Sequence, residues 1–264
     1  MRLFTGIFFL LITYHVHSQN IESQDNFAVE DVIKECSSLT VKEYLDYDIK
    51  IGFLTLGNFK LISSDCNDSR LINTEIVGSS RGLGKVLYNI NFRYISYYFS
   101  PQFIPLKFVK IINEWNDSKR EEIYFNENKK QVNFKNKKND LEIFFSNDDK
   151  LFDLISGIQF FRLNMNSIYK NSSSFHLSYI HNRNGKKNLN IELLGNDYIK
   201  ISRGYFRAKK FYCVLESSNK LVPEKTEVYF WISDDQNKLP LYLETKIGFS
   251  KIKIELNKRT DQLF

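Results

Sequence analysis

Residues Glu227–Leu256 read EVYFWISDDQNKLPLYLETKIGFSKIKIEL, the most legible segment of the chain. Strand-forming residues run from Glu227 to Ser233, the turn formers DDQNK follow, and Pro240 opens a returning strand, where a missing N–H donor is tolerated. In that strand Leu241, Leu243, Ile247 and Phe249 carry the apolar face on odd positions, and then Ile252, Ile254 and Leu256 carry it on even ones. A strand alternates with period two, so its phase slips by one residue between Gly248 and Lys251. The slip reads as a β-bulge within one long strand, and bulges bend sheets. A strongly curved sheet is expected.

The same alternation governs the start of the chain. In YLDYDIKIGF, Leu45, Tyr47, Ile49, Ile51 and Phe53 alternate with Asp46, Asp48 and Lys50, as in a strand with one wet face. Gly52 and Gly57 bracket a connection into NFKLISS, and further strands are expected near 71–78, 84–99, 105–114, 120–126 and 130–136. Turn signals stand at NENKKQ, KNKKND, NRNGKK, LGND, ESSNK and DDQNK. Two helices interrupt the pattern. Val29, Val32, Ile33 and Cys36 fall at i, i+3, i+4 and i+7. Leu151, Leu154, Ile155, Ile158 and Phe161 form a second stripe, with Ser146 or Asn147 as its cap and Asp148 and Asp149 at the positive end of its dipole. The fold class that follows is mainly β: a curved antiparallel sheet or half-barrel, one amphipathic helix packed on it and a short N-terminal helix.

MRLFTGIFFLLITYHVHSQ has a basic start, a short apolar run and small or aliphatic residues at Val16 and Ser18, the layout of a secretory signal cleaved near Ser18. The run is too short for a spanning helix, which takes about 20 residues. The expected organisation is a signal at 1–18, an N-terminal extension at 19–41 and one β-rich domain at 42–264, exported to the periplasm or secreted, with no transmembrane segment in the mature chain. Three cysteines, Cys36, Cys66 and Cys213, leave at least one thiol outside any intramolecular bridge. The net charge of +6 is dispersed among acids, which argues against nucleic acid as a partner.

Gly78–Lys85, GSSRGLGK, resembles a phosphate-holding loop but fails in detail. Five residues separate Gly78 from Gly84, Leu83 sits where the second glycine belongs, and Val86 replaces the magnesium-binding hydroxyl. A helix should also follow, whereas VLYNINFRYISYYF is strand-like. No cofactor is expected, and the segment reads as a strand or turn. His176 and His181 lie in an alternating strand without a nucleophile motif, and no Cys-x-x-Cys pair supports zinc. No catalytic, cofactor-binding or metal residue is assigned.

Several segments together resemble the domain of unknown function 3108 (DUF3108) family of exported bacterial proteins, over about residues 42–257. They are Glu43 and Tyr44 before YDIKIGFLTLGNFKL, the Phe-Ser-Pro-x-Phe-x-Pro strand Phe99–Pro105, the Asp153-x-Ile-Ser helix ending near Arg162, and Trp231-x-Ser233-x-Asp235-x-x-x-x-Pro240. Lys42 stands where that family often has glycine. The resemblance implies a periplasmic curved sheet or half-barrel and transfers no catalytic residue. Trp231, Ser233, Asp235 and Pro240 read as structural: an apolar anchor, a turn and a strand restart. With 23 Phe, 15 Tyr and 2 Trp in a β chain, the functional expectation is a noncatalytic module. It would bind a hydrophobic ligand or an envelope protein on a concave sheet. The alternatives are an envelope assembly protein docking by sheet edges and, more distantly, a hydrolase using the two histidines.

Overall fold

The computed structural model describes residues 25–34, 39–66, 70–127, 130–136, 140–144, 150–180, 185–216 and 225–261. Helix α1 (Asp25–Lys34) precedes eight strands: β1 (Leu39–Ile51), β2 (Leu54–Cys66), β3 (Leu71–Ser80), β4 (Ile90–Phe99), β5 (Ile104–Glu114), β6 (Asp117–Asn126), β7 (Gln131–Asn136) and β8 (Asp140–Phe144). A short helix α2 (Leu83–Leu87) sits between β3 and β4. Then come β9 (Leu151–Asp153), α3 (Leu154–Ile168), β10 (Ser174–Ile180), β11 (Lys187–Ile201), β12 (Gly204–Glu216), β13 (Lys225–Ser233), β14 (Pro240–Ile247) and β15 (Ser250–Asp261).

All fifteen strands form one sheet in the order β8-β7-β6-β5-β4-β3-β2-β1-β15-β14-β13-β12-β11-β10-β9. Every pairing is antiparallel except β9 with β10. The two edge strands, β8 and β9, are consecutive in the chain, and chain geometry alone then forces the sheet to curl. A flat sheet of this size would span about 65 Å at ~4.8 Å per strand, but the chain from Phe144 to Leu151 reaches at most about 24 Å. The sheet does fold over, bringing β9 beside β5, and Ser96 Oγ on neighbouring β4 donates to Asp153 Oδ2 at 2.7 Å. The edges do not pair with each other, so the sheet is curved and unclosed. One core cluster unites Phe92, Tyr94, Phe108 and Ile123 of one wall with Ile180, Ile247 and Ile252 of the other.

The phase slip in the closing segment is a tight turn and not a bulge. Ile247 pairs with Ser250 across Gly248-Phe249, and Gly248 takes a φ of 59° that suits glycine. Pairing across a two-residue loop joins odd positions to even ones, so the apolar face changes parity as it would at a bulge. Phe249 therefore sits at a hairpin tip, 99% exposed. Phe53 likewise falls in the β1–β2 turn, 93% exposed, and does not extend the inward row of Leu45, Tyr47 and Ile49.

Further expectations are corrected. LGND does not turn: β11 runs through it with a register shift at Leu193/Gly195, and the chain reverses between Ile201 and Gly204. Phe99–Pro105 is not a central strand, because Ser100–Phe103 connect β4 to β5. Helix α3 starts later than its stripe suggested. Asp153 caps it, accepting from Ile155 N and Ser156 N, while Leu151 lies in β9 and Ile158 is exposed. The expected cap residues 146–149 lie outside the described residues, as do His181, Cys36 and the cores of the KNKKND and ESSNK turns.

Candidate functional site

Strand register places Ile49, Ile254, Leu243, Phe230 and Phe211 in one cross-strand row on the concave face. The ends of the row, Ile49 and Phe211, are buried, but its centre is not. Ile254, Leu243 and Phe230 are only partly buried, as are nearby Phe59 and Ile76. Concave apolar side chains that remain partly wet in mid-sheet mark a strip that the two walls do not fully cover. It is continuous with the core: Phe59 stacks on buried Tyr47 at 4.7 Å, and Phe230 on buried Phe211 at 5.2 Å.

Helix α3 closes one end of this face, at the start of β1 and the end of β2. Arg162 clasps Glu43 with two charge-assisted bonds, Nη1–Oε2 at 2.8 Å and Nη2–Oε1 at 2.6 Å, and Arg162 is 3% exposed. Gln159 Nε2 donates to Ser63 Oγ at 3.0 Å. From there hydroxyls run through Thr74 to Tyr98. Asp153 is fully buried. Burial pushes its carboxyl up, opposed by donors from Ser96, Ser156 and Ile155. Below the polar seam, Phe161 meets Phe211 edge-on at 5.3 Å. The resembling segments thus converge: Glu43, Asp153, Ser156 and Arg162 pin α3 to the sheet. A polar pair also stands on the inward face of β5 and β6, where Lys110 Nζ lies 2.6 Å from Glu121.

The closing motif lies elsewhere. Trp231 points away from the concave row, packs against Tyr242 at 5.3 Å and lies under Lys210 Nζ at 5.0 Å. Its Nε1 donates to Asp197 Oδ2 at 2.8 Å. That bond, against a lesser opposing effect of burial, lowers the Asp197 pKa. Asp235 Oδ1 accepts from Ser233 Oγ, Asn237 N and Lys238 N, while Ser233 Oγ accepts from Leu239 N. Pro240 enters β14 and its carbonyl accepts from Tyr47 Oη at 2.9 Å.

GSSRGLGK ends β3 and, contrary to the strand-or-turn expectation, does open a helix, the five-residue α2. Its glycines serve packing. A Cβ on Gly84 would lie 2.0 Å from the Leu56 carbonyl oxygen, and one on Gly78 would lie 2.4 Å from the Phe92 ring. His176 is exposed on β10 opposite Asn190. Cys66 is disulfide-bonded and Cys213 is a buried free thiol. What the sequence missed is the half-covered row, because its members look like ordinary core residues until register aligns them.

A family model described as "Protein of unknown function (DUF3108)" matches residues 46–257. The chain belongs to this family. Among solved structures, a β-barrel-like protein of domain of unknown function DUF1849 from Brucella abortus is similar at a TM-score of 0.56 and 8% identity. The match covers 84% of this chain and 98% of that one, and it supports the barrel-like fold. Lipoprotein LppX of Mycobacterium tuberculosis aligns over 90% of this chain and 96% of its own at 10% identity. Its TM-score of 0.28 is too low to bear on the argument. No curated protein matches.

Proposed function

We propose that this DUF3108 protein is an exported, noncatalytic module that shelters an apolar chain, such as the acyl tail of a lipid, along its concave face. The observation that carries the reading is the partly exposed row Ile254, Leu243 and Phe230 with Phe59 and Ile76 beside it. Apolar surface left wet on a concave sheet is stabilised by an apolar occupant, at about 25 cal/mol per Å² covered. The N-terminal signal-like segment supports export, with cleavage near Ser18. Noncatalytic action is supported by the way the polar motif residues are used. Asp235, Ser233, Asp153 and Arg162 are spent on internal hydrogen bonds, so Trp231, Ser233, Asp235 and Pro240 act as a structural turn.

The test is titration with a fluorescent long-chain fatty acid. Wild type should bind it saturably, and Leu243→Glu, which puts a charge in the centre of the row, should weaken binding at least about tenfold while keeping the fold. Equal affinity in the variant would refute the assignment of the site.

A further inference from the structure

The tetrapeptide Lys-Ile-Gly-Phe occurs twice, at Lys50–Phe53 and Lys246–Phe249. The fold brings both copies to one rim. β1 pairs with β15, Ile51 standing opposite Ile252, so the β1–β2 and β14–β15 hairpin tips are neighbours. In each copy the glycine takes a φ of 59° and throws its phenylalanine into solvent, 93% and 99% exposed. The apolar surface continues along the same rim. Arg81 N bonds the Leu56 carbonyl, seating α2 against β2 with Val86 73% exposed. Trp115 N bonds the Asn89 carbonyl, which sets the β5–β6 turn next in line with its indole 58% exposed. Helix α3, at the start of β1, lies toward the opposite end.

Unpaired charge near these tips is mainly basic. Nearby acids are engaged: Glu114 by Tyr88, Asp117 by Lys119, Glu244 by Lys251 and Glu227, level with Lys246 on β13, by Tyr212. Arg81, Lys85 and Lys246 are exposed and make no ion pair among the described residues. Lys246 also stands directly opposite Lys251. Like charges opposed across strands cost stability; Lys251 is offset by its pair with Glu244, whereas Lys246 makes no ion pair among the described residues.

We infer that this rim docks on an anionic lipid bilayer, with Phe53, Phe249 and Trp115 entering the interface and Arg81, Lys85 and Lys246 meeting the headgroups. Phe53, Phe249 and Trp115 stand on three separate turns spread along the rim. A fluid interface accepts them without shape complementarity, and phenylalanine and tryptophan beside lysine and arginine are the residues such interfaces take. Rigid tight turns at the base of each phenylalanine hold them ready.

The experiment is vesicle co-sedimentation of the chain after removal of residues 1–18, independent of any ligand on the concave face. Vesicles of phosphatidylethanolamine with phosphatidylglycerol should bind wild type and blue-shift the Trp115 emission, while pure phosphatidylcholine should bind it less. Phe53→Ser with Phe249→Ser should lower partitioning by about a hundredfold with the melting temperature unchanged. Arg81→Glu with Lys246→Glu should abolish the preference for anionic lipid. Tyr198→Ser with Tyr205→Ser, exposed at the far β11–β12 hairpin, should bind as wild type. Wild type that stays in the supernatant, a phenylalanine double variant that binds normally, or a rim that instead drives concentration-dependent dimers would each overturn the inference.

Discussion

Replacing Trp231 with alanine removes a ring that is 8% exposed, together with its contacts to Tyr242 and Lys210 and its hydrogen bond to Asp197. Deleting a buried large aromatic costs about 3–5 kcal/mol. The polar part can be separated from this. Trp231→Phe keeps most of the apolar area and loses the Nε1 donor, and Asp197 can turn to water, so the loss should be about 1–2 kcal/mol. The same variant carries a pH signature. The Trp231 bond holds the Asp197 pKa down, so its contribution is present above the unfolded-state value and is lost as pH falls through the folded one. Trp231→Phe should therefore lose less stability than wild type on acidification. Asp235→Ala releases three donors at a partly exposed turn and should cost about 1–2 kcal/mol. Urea melts at pH 7 and at about pH 2.5, below the unfolded-state Asp value of 3.8, measure all three. A Trp231→Ala midpoint equal to wild type, or below that of Asp235→Ala in its effect, would refute the structural reading of the motif.

Arg162→Met should destabilise by about 3–5 kcal/mol by stranding the Glu43 carboxylate, and adding Glu43→Gln should recover part of it, as a double-mutant cycle would show. Gly84→Ala should cost about 1–3 kcal/mol, because its Cβ would strike the Leu56 carbonyl; a melt equal to wild type would contradict that close approach. Burial raises the Cys213 thiol to about 12, so a thiol reagent at pH 8 should label it only after unfolding. Glu122 is held at about 2: burial opposes its ionisation, but donors from Tyr124, Arg120 and Lys107 outweigh it. Its stabilisation is present above about 4.5 and fades as pH falls toward 2. Thermal melts of Glu122→Gln across that window should be flatter than those of wild type.

Period-two alternation in YLDYDIKI and in the closing hairpin was enough to read strands. The sheet is curved as expected, but the bulge from which curvature was read is a turn, and the curl follows from edge strands that are consecutive in the chain. Alternation was not enough to separate a two-residue turn from a bulge at Gly248, since both shift apolar parity by one. The repeated Gly-Phe could have signalled the turn, because a φ > 0 glycine before an unpaired residue ends a strand. LGND failed for the opposite reason: a glycine with φ of 124° was accommodated as a bulge inside continuous pairing. Of the candidate site, Glu43, Asp153 and Arg162 were visible as separate fragments. That they form one seam under α3 depends on contacts between residues more than a hundred positions apart. The row Ile254–Leu243–Phe230 was invisible, because partial exposure of an apolar residue is a property of the curled sheet and not of its sequence.

Native mass spectrometry of the protein purified from its own envelope, under conditions that keep noncovalent complexes, most directly tests whether the concave face holds an apolar chain. The account predicts a bound species in the mass range of a lipid or fatty acid, released on unfolding and absent from Leu243→Glu. A wild-type protein that carries nothing and takes up no long-chain lipid when offered it would contradict the account.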